Sequence, residues 1–100
     1  MSLRVVVRDE AEADIAEAAL WYERRCAGLG NEFVRAVDLC FDLIARQPDV
    51  FPVIYRNARL GLLRKFPYLV LYRVFPEFIA VVAVMHGRRH PRRWKSRLAN

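Results

Sequence analysis

The chain opens with a short apolar run and then changes to helical periodicity. Residues 5–7 are three consecutive valines, which predict a strand because β-branched side chains favour an extended backbone. The apolar residues that follow recur at spacings of four, three and four, and they are Ala11, Ile15, Ala18 and Tyr22. Side chains at these spacings share one face of a helix. Asp9 and Glu12 predict a capping box at its start, and Gly28 predicts its end.

A second helical stripe follows, with Asn31 as its expected N-cap and Pro48 after its end. The residues of its apolar face are Phe33, Val37, Cys40 and Ile44, with Val34 and Phe41 widening the stripe. Because the connection between the two helices is short, we expect them to form an antiparallel hairpin.

The second half of the chain has the shorter period of strands. Residues 59–66 predict a strand that Gly61 interrupts, and residues 69–75 predict another. Residues 78–85 are continuously apolar, as expected of a central strand that helices cover. The connections between these segments are short, so the strands are predicted to pair as an antiparallel meander.

These elements predict an α+β fold in a single domain that spans residues 1–100. An N-terminal strand comes first, and an antiparallel helical hairpin follows it. The hairpin is expected to pack on one face of a mainly antiparallel β-sheet, and the other face of that sheet is expected to be exposed.

Charge divides the chain into two unlike halves. Residues 1–50 carry six basic and ten acidic side chains, a net charge of −4. Residues 51–100 carry eleven basic side chains against the single acidic Glu77, a net charge of +10. Such asymmetry indicates a negatively charged partner, and a solvated basic surface that aids solubility is the alternative.

Cysteine use and hydropathy suggest the compartment. Cys26 and Cys40 fall in predicted helices, which favours reduced thiols in a reducing compartment, with a disulfide as the alternative. No secretory signal peptide is visible, and residues 78–85 are far shorter than the ~20 residues of a membrane helix. We expect a cytoplasmic protein that does not bind membranes.

Basic side chains of the second half are the candidate binding residues. Arginine forks bind phosphate or carboxylate through paired hydrogen bonds, and an indole stacks on a base or on a partner's side chain. The residues expected to bind a partner or target are Arg56, Arg59, Arg64, Lys65, Arg73, Arg88, Arg89, Arg92, Arg93 and Trp94. Arg59 and Lys65 share one strand face if no bulge intervenes, and the exposed sheet face is their natural place. The alternatives are scattered solvated cations and a Trp94 that folds back over the core.

His86 and His90 are the only histidines of the chain. Gly87 and Pro91 argue against a helix that would align them, and no cysteine or carboxylate lies nearby in sequence, so no metal is expected. His86 could act as a general base near neutral pH or be a hydrogen-bonded structural histidine. The sequence has no glycine-rich phosphate loop and no nucleophile motif, so no cofactor is expected.

The order of these motifs resembles the RelE/ParE superfamily of bacterial toxins, and more closely its ParE-like, plasmid-stabilisation branch. The matching segments are residues 11–15, Pro48, residues 63–68, residues 72–74 and residues 82–94. The resemblance covers nearly the whole chain in the correct order. The fold it implies, a helical hairpin on an antiparallel sheet, agrees with the fold predicted from periodicity.

The resemblance implies one of two activities. RelE-like members cut messenger RNA on the ribosome, whereas ParE-like members bind DNA gyrase and trap its DNA-cleaved state without being catalysts. Ribonucleolytic members carry an arginine and a C-terminal tyrosine where this chain has Leu69 and Trp94. Leu69 cannot stabilise a phosphorane, and an indole cannot act as a general acid at neutral pH. The resemblance therefore favours a gyrase-directed toxin with no catalytic residues.

Two alternatives stay open. One is a metal-free endoribonuclease acting on ribosome-bound messenger RNA, whose candidate catalytic residues are Arg59, Lys65, His86 and Arg88. The other is a non-toxic basic binding module. For a toxin, the resemblance also implies a cognate ParD-like antitoxin with an acidic segment, which could add to a sheet edge or lie as a helix in an apolar groove.

Overall fold

The protein is a five-stranded β-sheet with helices on both faces. The computed structural model describes residues 2–88 and 91–99. In chain order its elements are β1 (Arg4–Val7), α1 (Asp9–Arg25), α2 (Leu29–Arg46), β2 (Val53–Tyr55), β3 (Ala58–Leu62), β4 (Tyr68–Val74), β5 (Phe78–His86) and α3 (Pro91–Leu98). The predicted α+β fold, with an N-terminal strand and a helical hairpin on a mainly antiparallel sheet, is confirmed.

The strands lie in the order β1-β5-β4-β3-β2. β1 runs parallel to β5, and every other neighbouring pair is antiparallel. The parallel pairing ends where Val7 meets Val81, whereas β5 continues to His86 beside β4. In the described part of the chain, the last residues of β5 therefore have no strand on the β1 side.

The two helices of the hairpin meet closely at their connection. Gly28 is the N-cap of α2 and has a φ of 89°, which glycine adopts without steric cost. The Glu23 carboxylate accepts hydrogen bonds from the amides of Gly28 and Gly30, both at 3.0 Å. A Cβ at Gly30 would lie 2.6 Å from the carbonyl oxygen of Ala19, so only glycine allows this close approach.

The predicted N-terminal caps of both helices are wrong. α1 begins at Asp9, and its N-cap Arg8 makes no side-chain hydrogen bond, so the capping box does not form. α2 begins at Leu29, before Asn31, because Glu23 of the preceding helix supplies the capping bonds. The carboxylates in the first turn of α1 still stabilise the helix, because they lie at the positive end of its dipole.

The larger core lies between the hairpin and the sheet. The apolar face predicted for α2 is confirmed, because its four residues are all buried: Phe33, Val37, Cys40 and Ile44. The ring centroid of Phe33 lies 5.3 Å from that of Phe66 and 5.0 Å from that of Tyr68. Tyr72 is fully buried, and its hydroxyl donates a hydrogen bond to the carbonyl of Pro48 at 2.9 Å. Burial raises the pKa of Tyr72 to about 12.

A smaller core lies on the other face of the sheet, under α3. Leu98 is buried there and Trp94 is half-buried, against sheet residues that include Ala58, Leu71 and Ala83. The prediction of an exposed sheet face is therefore wrong. The sequence did not predict α3, whose first residue is Pro91, where the missing amide hydrogen costs nothing.

An irregularity in β5 places side chains of this one strand in both cores. Leu71 of β4 pairs with Ala83, whereas the next residue, Tyr72, pairs with Val81, so Val82 is an extra residue in β5. As a result Val81 and Val84 both belong to the larger core, although three positions separate them. Val82 belongs to the smaller core under α3.

Asp14 and Arg97 form a clasp where β1 ends. The Arg97 guanidinium donates two hydrogen bonds to the Asp14 carboxylate, both at 2.9 Å, and one to the carbonyl of Val82 at 3.1 Å. The same carboxylate accepts a hydrogen bond from the amide of Val84 at 3.0 Å. The hydrogen bond to Asp14 raises the pKa of Arg97. The clasp therefore joins α1, β5 and α3.

Two further strand predictions need correction. The strand predicted over residues 59–66 ends at Leu62, and Lys65 lies in the following loop with a φ of 69°. Arg59 and Lys65 therefore do not share a strand face. Gly61 does not interrupt β3, because its missing side chain leaves room for the Phe51 ring, which a Cβ would approach to 2.7 Å.

Replacing Phe33 by alanine should lower the free energy of unfolding by about 3–5 kcal/mol, because it removes a buried aromatic ring and leaves a cavity. Leu39→Ala, on the same helix but 61% exposed, should change it by less than about 0.5 kcal/mol. Urea denaturation followed by circular dichroism measures both variants. Equal losses would contradict the assignment of the two faces of α2.

Replacing Arg97 by methionine should lower the free energy of unfolding by about 2 kcal/mol, because the Asp14 carboxylate loses its counter-charge. The loss is smaller than for a fully enclosed pair, since the two side chains keep 17% and 18% of their exposure. Arg93→Met, at an exposed position of the same helix, is the matched control and should be nearly neutral. Similar denaturation midpoints for the two variants would count against the clasp.

Candidate partner-binding surfaces

Two of the predicted binding residues have partners inside the fold. Arg59 donates hydrogen bonds through Nη1 to the carbonyl of Phe51 at 2.6 Å and to that of Asp49 at 3.3 Å. Arg73 donates through Nη2 to the carbonyl of Leu98 at 3.1 Å, at the end of α3. Both guanidinium groups thus hold neighbouring segments of the chain against the sheet.

Most of the other predicted residues that the structure describes are exposed. Trp94 contacts Tyr55 edge to face with ring centroids 6.1 Å apart, so it folds back over the smaller core. Arg56 lies over the same tyrosine ring, 5.3 Å from its centroid. Arg92 is exposed on α3, and Arg89 lies outside the described residues.

A groove of about 650 Å³ lies between α2 and the loop that follows β3. We call it the basic groove. Its apolar part includes Leu39 and Leu62, which are 61% and 65% exposed. The cationic side chains that line it are Arg35, Arg46, Arg64 and Lys65, and the single acidic one is Glu32. An apolar surface between cations suits a partner segment with an apolar face and acidic flanks.

Local sequence explains how the basic groove forms. Positions 32, 35, 36, 39, 43 and 46 of α2 follow a helical period and line the groove, beside the face that enters the larger core. Phe51 also lines it, and the space above Gly61 accommodates this ring. The groove thus combines one side of a helix with the end of β3.

A second concavity, of about 680 Å³, lies beyond the end of β1, and we call it the edge cleft. Its residues come from α1, the start of β4, the end of β5 and the region of α3, and they include Glu17, Trp21, Tyr68, Val84, His86, Arg88 and Arg93. His86 accepts a hydrogen bond at Nδ1 from the amide of Arg88 at 3.0 Å, and its ring packs edge to face on Tyr68. A neutral His86 therefore carries its proton on Nε2.

The structure does not bring the four candidate nuclease residues together. His86 and Arg88 line the edge cleft, whereas Lys65 lines the basic groove. Arg59 of β3 lies beside Tyr72 of β4, which lies beside Val81 of β5. His86 comes five residues after Val81 on β5. Arg59 and His86 are therefore separated by about 17 Å along the strand direction. Among the described residues, no group of three or more histidine, cysteine and carboxylate side chains could hold a metal ion.

Sequence reasoning missed the leucines of the basic groove and the clasp. Leu39 lies off the apolar stripe of α2, and an apolar residue on the polar side of a helix is a signal that could have been used. The pairing of Asp14 with Arg97 carries no sequence signal, because it depends on where α3 docks.

In the part of the chain that the structure describes, no helix is long and apolar enough to span a bilayer.

Comparisons with known proteins agree with this fold. Toxin ParE2 of Mycobacterium tuberculosis, in strains CDC 1551 / Oshkosh and ATCC 25618 / H37Rv, is 34% identical over 95 residues, covering 91% of this chain and 88% of the relative. The solved structure titled "Chromosomal ParDE TA system from P. aeruginosa" superposes with a TM-score of 0.64 over 85% of this chain and 96% of that one. At 15% identity, that similarity supports the fold alone.

The family match spans most of the chain. Residues 5–91 match the family described as "ParE toxin of type II toxin-antitoxin system, parDE". The matched region begins at the second residue of β1 and extends to the first residue of α3, so it includes the hairpin, nearly the whole sheet and the basic groove. The chain belongs to the ParE toxin family of type II toxin–antitoxin systems.

Proposed function

We propose that this protein inhibits DNA gyrase and is neutralised by a cognate ParD-like antitoxin that carries an acidic segment. Membership of the ParE toxin family supports a toxin. The observation that carries the antitoxin part is the basic groove, in which exposed Leu39 and Leu62 lie among four cations. The proposed place of action is the cytoplasm, where both gyrase and a newly made antitoxin are found.

The basic groove suits an amphipathic helix with acidic flanks. Burying Leu39 and Leu62 would remove apolar surface from water, which contributes about 25 cal/mol per Å². The surrounding cations would attract acidic flanks and speed the encounter, an effect that weakens with added salt. The leucines thus supply affinity, and the cations supply orientation and rate.

The arrangement of the candidate nuclease residues favours a binding toxin over an RNA-cleaving enzyme. Arg59 is engaged with backbone carbonyls, and Lys65 lies in a different concavity from His86. In the tautomer with its proton on Nε2, the basic atom of His86 is Nδ1, which already accepts a hydrogen bond from the amide of Arg88. Inhibition of gyrase by binding does not require these catalytic residues to lie together.

Added to gyrase in stoichiometric amounts, the purified protein should abolish supercoiling and increase the amount of cleaved DNA. A toxin that traps the cleaved state converts gyrase into a DNA-damaging complex, so induction in cells should also trigger the DNA damage response. Supercoiling and cleavage assays on plasmid DNA measure the first effect, and a damage-responsive reporter measures the second. Unchanged gyrase together with cleaved ribosome-bound messenger RNA would overturn the gyrase proposal and support the nuclease alternative.

Leu39→Glu and Leu62→Glu should each weaken neutralisation by the antitoxin by at least about tenfold, because each places an anion where an apolar, acid-flanked helix is proposed to bind. Leu20→Glu is the matched control, since Leu20 is 52% exposed on α1 and lines neither concavity. The measurement is growth during co-expression with the cognate antitoxin, together with the affinity of the purified pair. Neutralisation that all three variants leave unchanged would contradict the role of the groove.

A further inference from the structure

The last helix, α3, carries cations around most of its circumference. Its sequence includes four basic residues and no carboxylate. The side that faces the sheet carries Trp94 and Leu98. Because each residue advances about 100° around a helix, Lys95 and Arg93 lie on opposite flanks of α3 and Arg92 lies on its outer side. All three cations are exposed.

This row of cations continues to the turn between β2 and β3. The guanidinium carbon of Arg56, in that turn, lies 5.3 Å from the ring centroid of Tyr55. The Lys95 amine lies 4.8 Å from the same centroid, so Tyr55 brings a cation of the turn beside a cation of α3. At the other end of the row, Arg93 lines the edge cleft. We call this surface the cationic band, and its residues are Arg56, Lys95, Arg92 and Arg93.

The elements that carry the cationic band have no carboxylates of their own. Strands β2, β3, β4 and β5 and helix α3 contain neither aspartate nor glutamate. The ion pairs of α3 with Glu10 and Asp14 are made by Arg97, which lies outside the band. Glu17 lines the edge cleft where the band ends. The band is therefore a concentration of positive charge that attracts polyanions.

The backbone of the β2–β3 turn indicates a role for Arg56. Arg56 and Asn57 are the two residues of this turn, and their φ angles are 43° and 59°. Hairpin turns with positive φ at both positions favour asparagine and glycine, because most other side chains are strained there. Asn57 meets this preference and Arg56 does not. Strained residues cluster at functional sites, and here the strained residue supplies one end of the band.

The cationic band offers hydrogen-bond donors rather than apolar contacts. Two cations already contact the Tyr55 ring, and Trp94 is half-buried and packs edge to face on that ring. These rings therefore position the cations and do not offer a face on which a base could stack. A protein partner needs apolar contacts at the centre of its interface, which the basic groove provides through Leu39 and Leu62. A phosphate backbone needs only donors and positive charge.

We propose that the cationic band binds the phosphate backbone of duplex DNA without reading its sequence, so that this protein holds DNA directly. The choice of DNA over RNA rests on the proposed action at gyrase, which works on DNA. None of the band residues lines the basic groove, so DNA and the helix proposed for the groove would occupy different surfaces. Neutralising phosphates releases counterions, and binding should therefore weaken steeply with added salt.

The test measures binding of the full chain to a labelled duplex of about 20 base pairs by fluorescence anisotropy, with no gyrase present. The logarithm of the association constant should fall linearly with the logarithm of the salt concentration, with a slope of about −3 for three or four phosphate contacts. Arg56→Gln with Lys95→Gln should weaken binding at low salt at least about tenfold and bring the slope closer to zero by about 2. Arg35→Gln with Arg46→Gln, in the basic groove, removes the same charge and should change the affinity less than about twofold, because it removes no phosphate contact.

Two further arms test the turn and the lack of sequence readout. Arg56→Asn places a residue that favours positive φ in the turn, so it should keep or raise the thermal midpoint while it weakens DNA binding about threefold or more. Duplexes of unrelated sequence should bind with affinities within about threefold of one another, since phosphates carry no sequence information.

Four results would overturn the proposal. Equal weakening by the two double variants would mean that DNA responds to net charge alone. Duplex RNA that binds at least about tenfold more tightly would assign the band to RNA, and displacement of DNA by polyglutamate at equal charge would assign it to an acidic protein. Absence of salt-dependent DNA binding, with gyrase inhibition intact, would overturn this proposal and leave the proposed function standing.

Discussion

The fold depends on the extra residue that β5 accommodates at Val82. This irregularity lets one strand supply the larger core through Val81 and Val84 and the smaller core through Val82. Beyond the end of β1, the backbone groups of β5 that face away from β4 have no strand partner among the described residues, and Asp14 and Arg97 satisfy two of them. A buried polar group without a partner is costly, so the clasp is a requirement of the strand geometry as well as an ion pair. The hairpin, the sheet and α3 are consequently stabilised together.

The parts of the fold that periodicity encodes could be predicted from sequence. The stripe through Phe33 and Ile44, the hairpin and the apolar β5 all follow from the spacing of apolar residues. α3 could not be predicted in this way, because it is short and highly charged and covers its core with only Leu98 and Trp94. The capping bonds from Glu23 were missed for a related reason, since they cross from one helix to the next.

The roles of single side chains at the candidate surfaces could not be predicted from sequence spacing either. Net charge identified the basic half of the chain, but it could not separate Arg59 and Arg73, which bond to backbone carbonyls, from exposed cations such as Arg64. That separation depends on strand register and on the docking of α3. The exposure of Leu62 likewise depends on where β3 ends, whereas Leu39 was recognisable as an apolar residue off the helical stripe.

The parallel pairing of β1 with β5 also orders events during synthesis of the chain. Arg4 pairs with Phe78, so the first strand leaves the ribosome long before its partner has been made. The hairpin needs only local contacts and can form in the interval. The residues that line the basic groove all lie between positions 32 and 66, and they are therefore made before any part of β5. A growing chain thus carries the residues proposed to meet its antitoxin before its own sheet can be completed.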